Sequence, residues 1–138
     1  VSVVVFAGFL AINNTPFDTA FCESVGEYST KAQSEEDIAD FVRQFFFETD
    51  ELYNVEEITI PYVFNDTYIK YNELQKKQGL DLEPFKGRTS IRYIYSLKNH
   101  KIDDTDAYIT IIVYKGRVIA GHISTGVEGT PIYTFLGE

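Results

Sequence analysis

The stretch Tyr71-Asn72-Glu73-Leu74-Gln75-Lys76-Lys77-Gln78-Gly79-Leu80-Asp81-Leu82-Glu83-Pro84-Phe85-Lys86-Gly87-Arg88 holds a helix end, a glycine stop, a short fixed loop and the start of a strand. Gly79 suits the left-handed residue at which many helices terminate, and Leu80 is placed to fold back over Leu74. Upstream, Asn65 or Asp66 can cap this helix by accepting a hydrogen bond from its first turn. Phe64, Tyr68, Tyr71 and Leu74 lie along one side of it. Downstream, residues 88–97 alternate. Thr89, Ile91, Tyr93, Tyr95 and Leu97 share one face, and Arg88, Ser90, Arg92 and Ser96 share the other, with Ile94 out of place. A period of two predicts a strand with one buried and one wet face.

Working outward, residues 107–114 and 117–124 flank Lys115-Gly116 and read as a hairpin. A two-residue turn would pair Tyr114 with Arg117 and Ile109 with His122. Ile109, Ile111, Val113, Val118 and Ala120 would then form one apolar face; a three-residue turn would flip one strand. Residues 131–136 form a last short strand or an ordered tail. Before the central helix, residues 55–60 read as a strand ending at Pro61. A first helix opens at Ser34, whose hydroxyl can cap it, and Glu35, Glu36 and Asp37 complement its dipole. Ile38, Phe41, Val42 and Phe45 form its apolar stripe, and it should end near Glu48, with Phe45-Phe46-Phe47 buried from two sides. The element order predicts an α+β fold: two helices packed on one face of a mostly antiparallel sheet of four to five strands, in one domain over residues 34–138.

Twenty-one acids against twelve bases leave a net charge of -9. The excess is confined to the front: residues 13–57 hold twelve Asp or Glu against Lys31 and Arg43, whereas the rest is near balance. Such a chain repels phosphate backbones, so no nucleic-acid partner is expected. Cys22 is the one cysteine, which excludes an internal disulfide and a cysteine-based zinc site. Residues 1–12 are almost wholly apolar, too short to span about 30 Å of hydrocarbon alone. The favoured expectation is the remnant of a membrane anchor, with a buried strand as the alternative because Val3, Val4, Val5 and Phe6 suit strands. Residues 13–33, polar and without apolar period, read as a linker.

The run from Tyr71 to Pro84, then Phe85-Lys86-Gly87 and Ile91-Arg92-Tyr93-Ile94-Tyr95, resembles the central signature of the bacterial domain-of-unknown-function family numbered 4830. Val113-Tyr114-Lys115-Gly116-Arg117-Val118-Ile119-Ala120-Gly121 resembles its terminal hairpin. The chain departs from that pattern at Lys115, where the family has an acidic residue or Asn, and at Phe46-Phe47, where it has Gly-Trp. The resemblance implies a short exported protein with an N-terminal membrane segment, and carries no catalytic residues to transfer.

Candidate sites are few. His122 and His100 lack metal-motif spacing, and no acid–histidine–nucleophile set is visible. Asp103, Asp104 and Asp106 are the densest acid cluster of the second half, yet they miss the calcium-loop pattern and read as a hairpin turn. Gly126-Val127-Glu128-Gly129 lacks the helix start and base of a phosphate cradle, and no cofactor is expected. Tyr93, Tyr95, Tyr108 and Tyr114 lie on neighbouring strands, where aromatics serve as core pairs or line a binding groove. The expectation is a non-catalytic, membrane-tethered extracytoplasmic domain that binds a protein, peptide or envelope component. The alternative is a small hydrolase or metal-assisted enzyme using His122 with nearby carboxylates.

Overall fold

The capping and stop signals around the two helices act as the residue chemistry requires. The computed structural model describes residues 18–138; residues 1–12, read as anchor remnant or inner strand, lie outside them. Strands β1 (Thr19–Cys22) and β2 (Gly26–Ser29) precede helix α1 (Glu35–Arg43). Strand β3 (Thr49–Thr59) and helix α2 (Asp66–Lys77) follow, then a 3₁₀ turn at Glu83–Phe85. Strands β4 (Thr89–Ile102), β5 (Thr105–Tyr114) and β6 (Arg117–Ser124) complete the order. Ser34 accepts from the Asp37 amide, and Asn65 accepts from the Tyr68 amide. Gly79 takes φ +84°, and the Leu80 and Gly79 amides close back on the Gln75 and Lys76 carbonyls. A Cβ at Gly79 would also meet the Phe21 carbonyl oxygen at 2.1 Å, so the stop is fixed by packing as well as by φ.

β3, β4, β5 and β6 form one antiparallel sheet in that order, and β1 and β2 form a separate antiparallel pair. This is the expected α+β class. The helical cover, expected on a single face, is divided between both. On one face Tyr95, Leu97, Ile109, Ile111, Val113, Val118 and Ile123 pack with Ile38, Phe41, Val42 and Phe45 of α1, with Tyr28 and Cys22, and with Phe135. Tyr28, Phe41, Phe45 and Phe135 meet edge-on or tilted at 5.1–6.0 Å. On the other face Ile112, Ile119 and Ala120 pack with Ile60 and Leu82, and with the half-buried Tyr68 and Tyr71 of α2.

The hairpin turn has two residues, with Tyr114 opposite Arg117. Beyond it an extra residue enters β6: Val113 faces Val118 but Ile112 faces Ala120, so Ile119 bulges. Ile109 consequently pairs with Ile123 rather than His122, and Ala120 sits on the face opposite the one expected. The linker expected over 13–33 is corrected across its described part. Cys22, Tyr28, Thr30 and Ala32 are buried, the Val118 amide donates to the Thr30 carbonyl, and Lys31 bridges to Arg117. β3 starts six residues earlier than expected and β4 continues through His100, which packs edge-on against Phe47 at 4.8 Å. The α1 end differs too. Phe45 is buried, but Phe46 is 96% exposed with φ +69°. Residues 131–136 form an ordered tail that pairs with β6 at Tyr133 and buries Phe135.

Candidate functional site

The face of the sheet that α2 covers is covered only in part. Past Tyr68 and Tyr71, the remaining strand surface and the loop after β6 enclose an open groove of about 720 Å³. Its floor is Arg92 and Ile94 of β4, Thr110 and Ile112 of β5, and His122 and Ser124 of β6. These residues share a face because each strand alternates, and the registers set Arg92 opposite Ile112 and Thr110 opposite His122. Tyr53 and Tyr108, 5.3 Å apart, stand at one end, and Tyr71 and Tyr68 of α2 wall the other. Thr67, Thr105 and Thr125 add hydroxyls, and Asp106 adds one carboxylate.

At the α2 wall the Tyr71 hydroxyl and His122 Nδ1 share a hydrogen bond of 2.8 Å, with the rings edge to face. Burial, helped by the nearby Arg92 guanidinium, pushes His122 down to about 4, so the ring is neutral at ordinary pH. Burial likewise raises the Tyr71 phenol, which keeps its proton. Arg92 pairs with Glu56 through a terminal nitrogen, while its Nε, buried, has no acceptor among the described residues; the Ser90 hydroxyl is in the same position. The enzymatic alternative needs a carboxylate within reach of His122. The partner this imidazole has is a phenol, and the charge acting on it is a cation.

The candidate tyrosines do not form one surface. Tyr108 lines the groove with His122. Tyr93 and Tyr95 stack on the α1 side, where Tyr95 is buried and its hydroxyl donates to Glu35 at 3.1 Å. Tyr114 lies against Phe85, outside the groove. Asp103 and Asp104 occupy the two left-handed positions of the β4–β5 turn, and Asp106 pairs with Lys101. Among the described residues no three of His, Cys, Asp and Glu gather closely enough to hold a metal ion, and no helix is long and apolar enough to cross a membrane.

Sequence reasoning missed the groove's Tyr53, Arg92, Thr110 and Ser124. One signal was present: Ile94, the apolar residue out of place on the wet face of β4, is in the floor of the groove. It also missed the polar face of α2 and its C-cap, where Asn72, Gln75 and Gln78 are buried. Gln75 brackets Gly121, accepting from its amide and donating to its carbonyl, both at 2.9 Å. Gln78 donates to the same carbonyl and to Gln75, and accepts from the Phe135 amide at 2.9 Å. The Tyr28 hydroxyl donates to the Gln78 carbonyl. Asn72 accepts from the Leu82 amide and donates to Asp81. Burial works to raise Asp81, but bonds from Asn72 and the Glu83 amide, with Lys76 nearby, hold it below the usual carboxylate range. These amides tie β2, β6, the loop after α2 and the tail to one helix.

Neither the curated proteins nor the solved structures contain a match to this chain. Residues 41–123, from within α1 through β6, match the family described as domain of unknown function DUF4830. They contain α2 with its amide face and most of the groove, and on that match the chain belongs to the DUF4830 family.

Proposed function

We propose that this is a non-catalytic binding domain, held outside the cytoplasm by a tether that precedes Asp18, whose sheet-face groove takes a segment of a protein, a peptide or an envelope component. The observation that carries the reading is the groove itself. Its volume of about 720 Å³ falls in the range of ligand sites, and aromatic walls surround a few convergent polar groups. Tyrosine rings offer wide contact at low entropic cost, and the Thr and Ser hydroxyls can exchange hydrogen bonds with a polar ligand. His122 supports a binding rather than a catalytic role, because it is neutral and engaged with Tyr71. On this reading the tether lies before Asp18, because Cys22 and Tyr28 of the β1–β2 hairpin pack in the core.

A thermal-shift screen of fractionated envelope components and peptides tests the reading, with Ser124→Trp as the groove-filling control. A component that raises the melting temperature of the natural protein should raise that of Ser124→Trp much less. Binding that is indifferent to Ser124→Trp, or amide shifts that map to the α1 face, would overturn the groove as the site. Protease treatment of intact cells carrying the full protein tests location: digestion from outside supports it, and protection until lysis refutes it.

A further inference from the structure

The two edges of the four-stranded sheet are unlike. Along β6 the outward groups are taken: Val118 by Thr30, Gly121 by Gln75 and Gln78, and Ile123 by Tyr133. Along β3, an edge of eleven residues, no described residue pairs with the outer side. A strand in that position turns the amide and carbonyl of every second residue away from the sheet. Bulges interrupt its first half, but residues 54–59 keep an unbroken register with β4, a template roughly 20 Å long.

The side chains along this edge specify what can dock. Leu52 and Val55 stand on the face of Tyr95 and Tyr93, with Ile91 beside them; they are 41%, 48% and 41% exposed. Around that apolar strip lie Asp50, Glu51, Glu56 and Glu57, with no base in the strand. Glu56 is met by Arg92; among the described residues the other three have no ion pair. A second copy is disfavoured by the same charges. Antiparallel pairing about a two-fold axis between Tyr53 and Asn54 sets Asp50 opposite Glu57 and Glu51 opposite Glu56, and an axis nearer Glu56 sets glutamates against glutamates. The complement of this edge is an extended chain with apolar residues for the strip and cations for the acids.

We propose that the outer edge of β3 is a docking site for an extended polypeptide segment bearing lysine or arginine beside β-branched residues, which adds to the sheet as a fifth strand. The site uses the outer edge of β3 and not the groove floor, although Tyr53 and Ile58 of β3 border both, and it stands whether or not the groove takes a ligand.

The test uses three ten-residue peptides: alternating Lys and Val; the same peptide N-methylated at every second residue, which keeps its charge but loses those donors; and alternating Glu and Val. Binding and amide exchange are followed by NMR on the natural protein and on Glu51→Lys/Glu57→Lys. Binding of the Lys-Val peptide should slow exchange at alternate β3 amides. N-methylation should weaken it at least about tenfold, and so should the charge reversal, whose melting temperature should match that of the natural protein. Equal binding of the N-methylated peptide would mean charge attraction without strand addition and would sink the proposal. So would shifts confined to the groove or β6, sedimentation showing a β3–β3 dimer, or no binding at millimolar peptide.

Discussion

The β6 edge and the β3 edge of one sheet show two ways for backbone to be satisfied. At β6 the partners come from distant chain: glutamine amides from α2, the carbonyl of Thr30, and the tail at Tyr133. At β3, among the described residues, only the inner side is paired, and most of the strand is exposed. Stability should therefore be concentrated at the closed edge, where a lost partner leaves a buried group bare, and the open edge should be nearly neutral to change.

The comparison breaks most visibly at Gln75. Gln75→Ala leaves the Gly121 amide without its buried acceptor, removes one of the two donors to the Gly121 carbonyl and takes an acceptor from Gln78, and should lower stability by about 3 kcal/mol in urea titration. A loss under about 1 kcal/mol would mean that the edge is not held by this side chain. Next comes pH. His122, on β6, titrates at about 4 when folded against 6.5 as the free group. Between those values the unfolded chain binds a proton that the folded chain refuses, so stability falls as pH drops from 6.5 to 4 and this contribution levels off below. The cost is on the order of 3 kcal/mol. It should be missing from His122→Gln, which can still bond Tyr71; parallel acid profiles of the two proteins would refute it.

A smaller and opposite effect is expected where the chain approaches the open edge. Phe46 holds a left-handed backbone while its ring is almost wholly in water, so Phe46→Gly should stabilise by about 0.5–1 kcal/mol. Calorimetry showing destabilisation would reveal packing for that ring. The smallest effect belongs to β3 itself: Asp50→Asn with Glu57→Gln should stay within about 0.5 kcal/mol of the natural protein. A larger loss would show that this edge is covered after all.

What could be read in advance follows from locality. Ser34, Asn65 and Gly79 act on atoms within one helical turn, and each behaves as its chemistry predicts. The Lys115-Gly116 turn is equally local. Phe46 and Lys115, both among the positions at which the resemblance implied a departure, have positive φ (69° and 48°), which Gly or Asn adopts at lower cost. The bulge at Ile119 was not legible, because alternation reports polarity and not the count of residues between pairs. The β1–β2 strands have four residues each, too few to establish a period. The face of Asn72, Gln75 and Gln78 reads as solvent-facing, since their backbone partners lie as far as 57 residues away; only their spacing of three hinted at a common stripe. Of the candidate residues, His122, Tyr108 and Asp106 reach the groove, because strand pairing and not sequence distance assembles it.

Cys22 is the one thiol of the chain, and it is buried where β1 meets the core. A sulfhydryl reagent can reach it only when that corner lifts. The rate of alkylation under native conditions is thus a built-in clock for detachment of the N-terminal hairpin, readable by mass without any label or substitution.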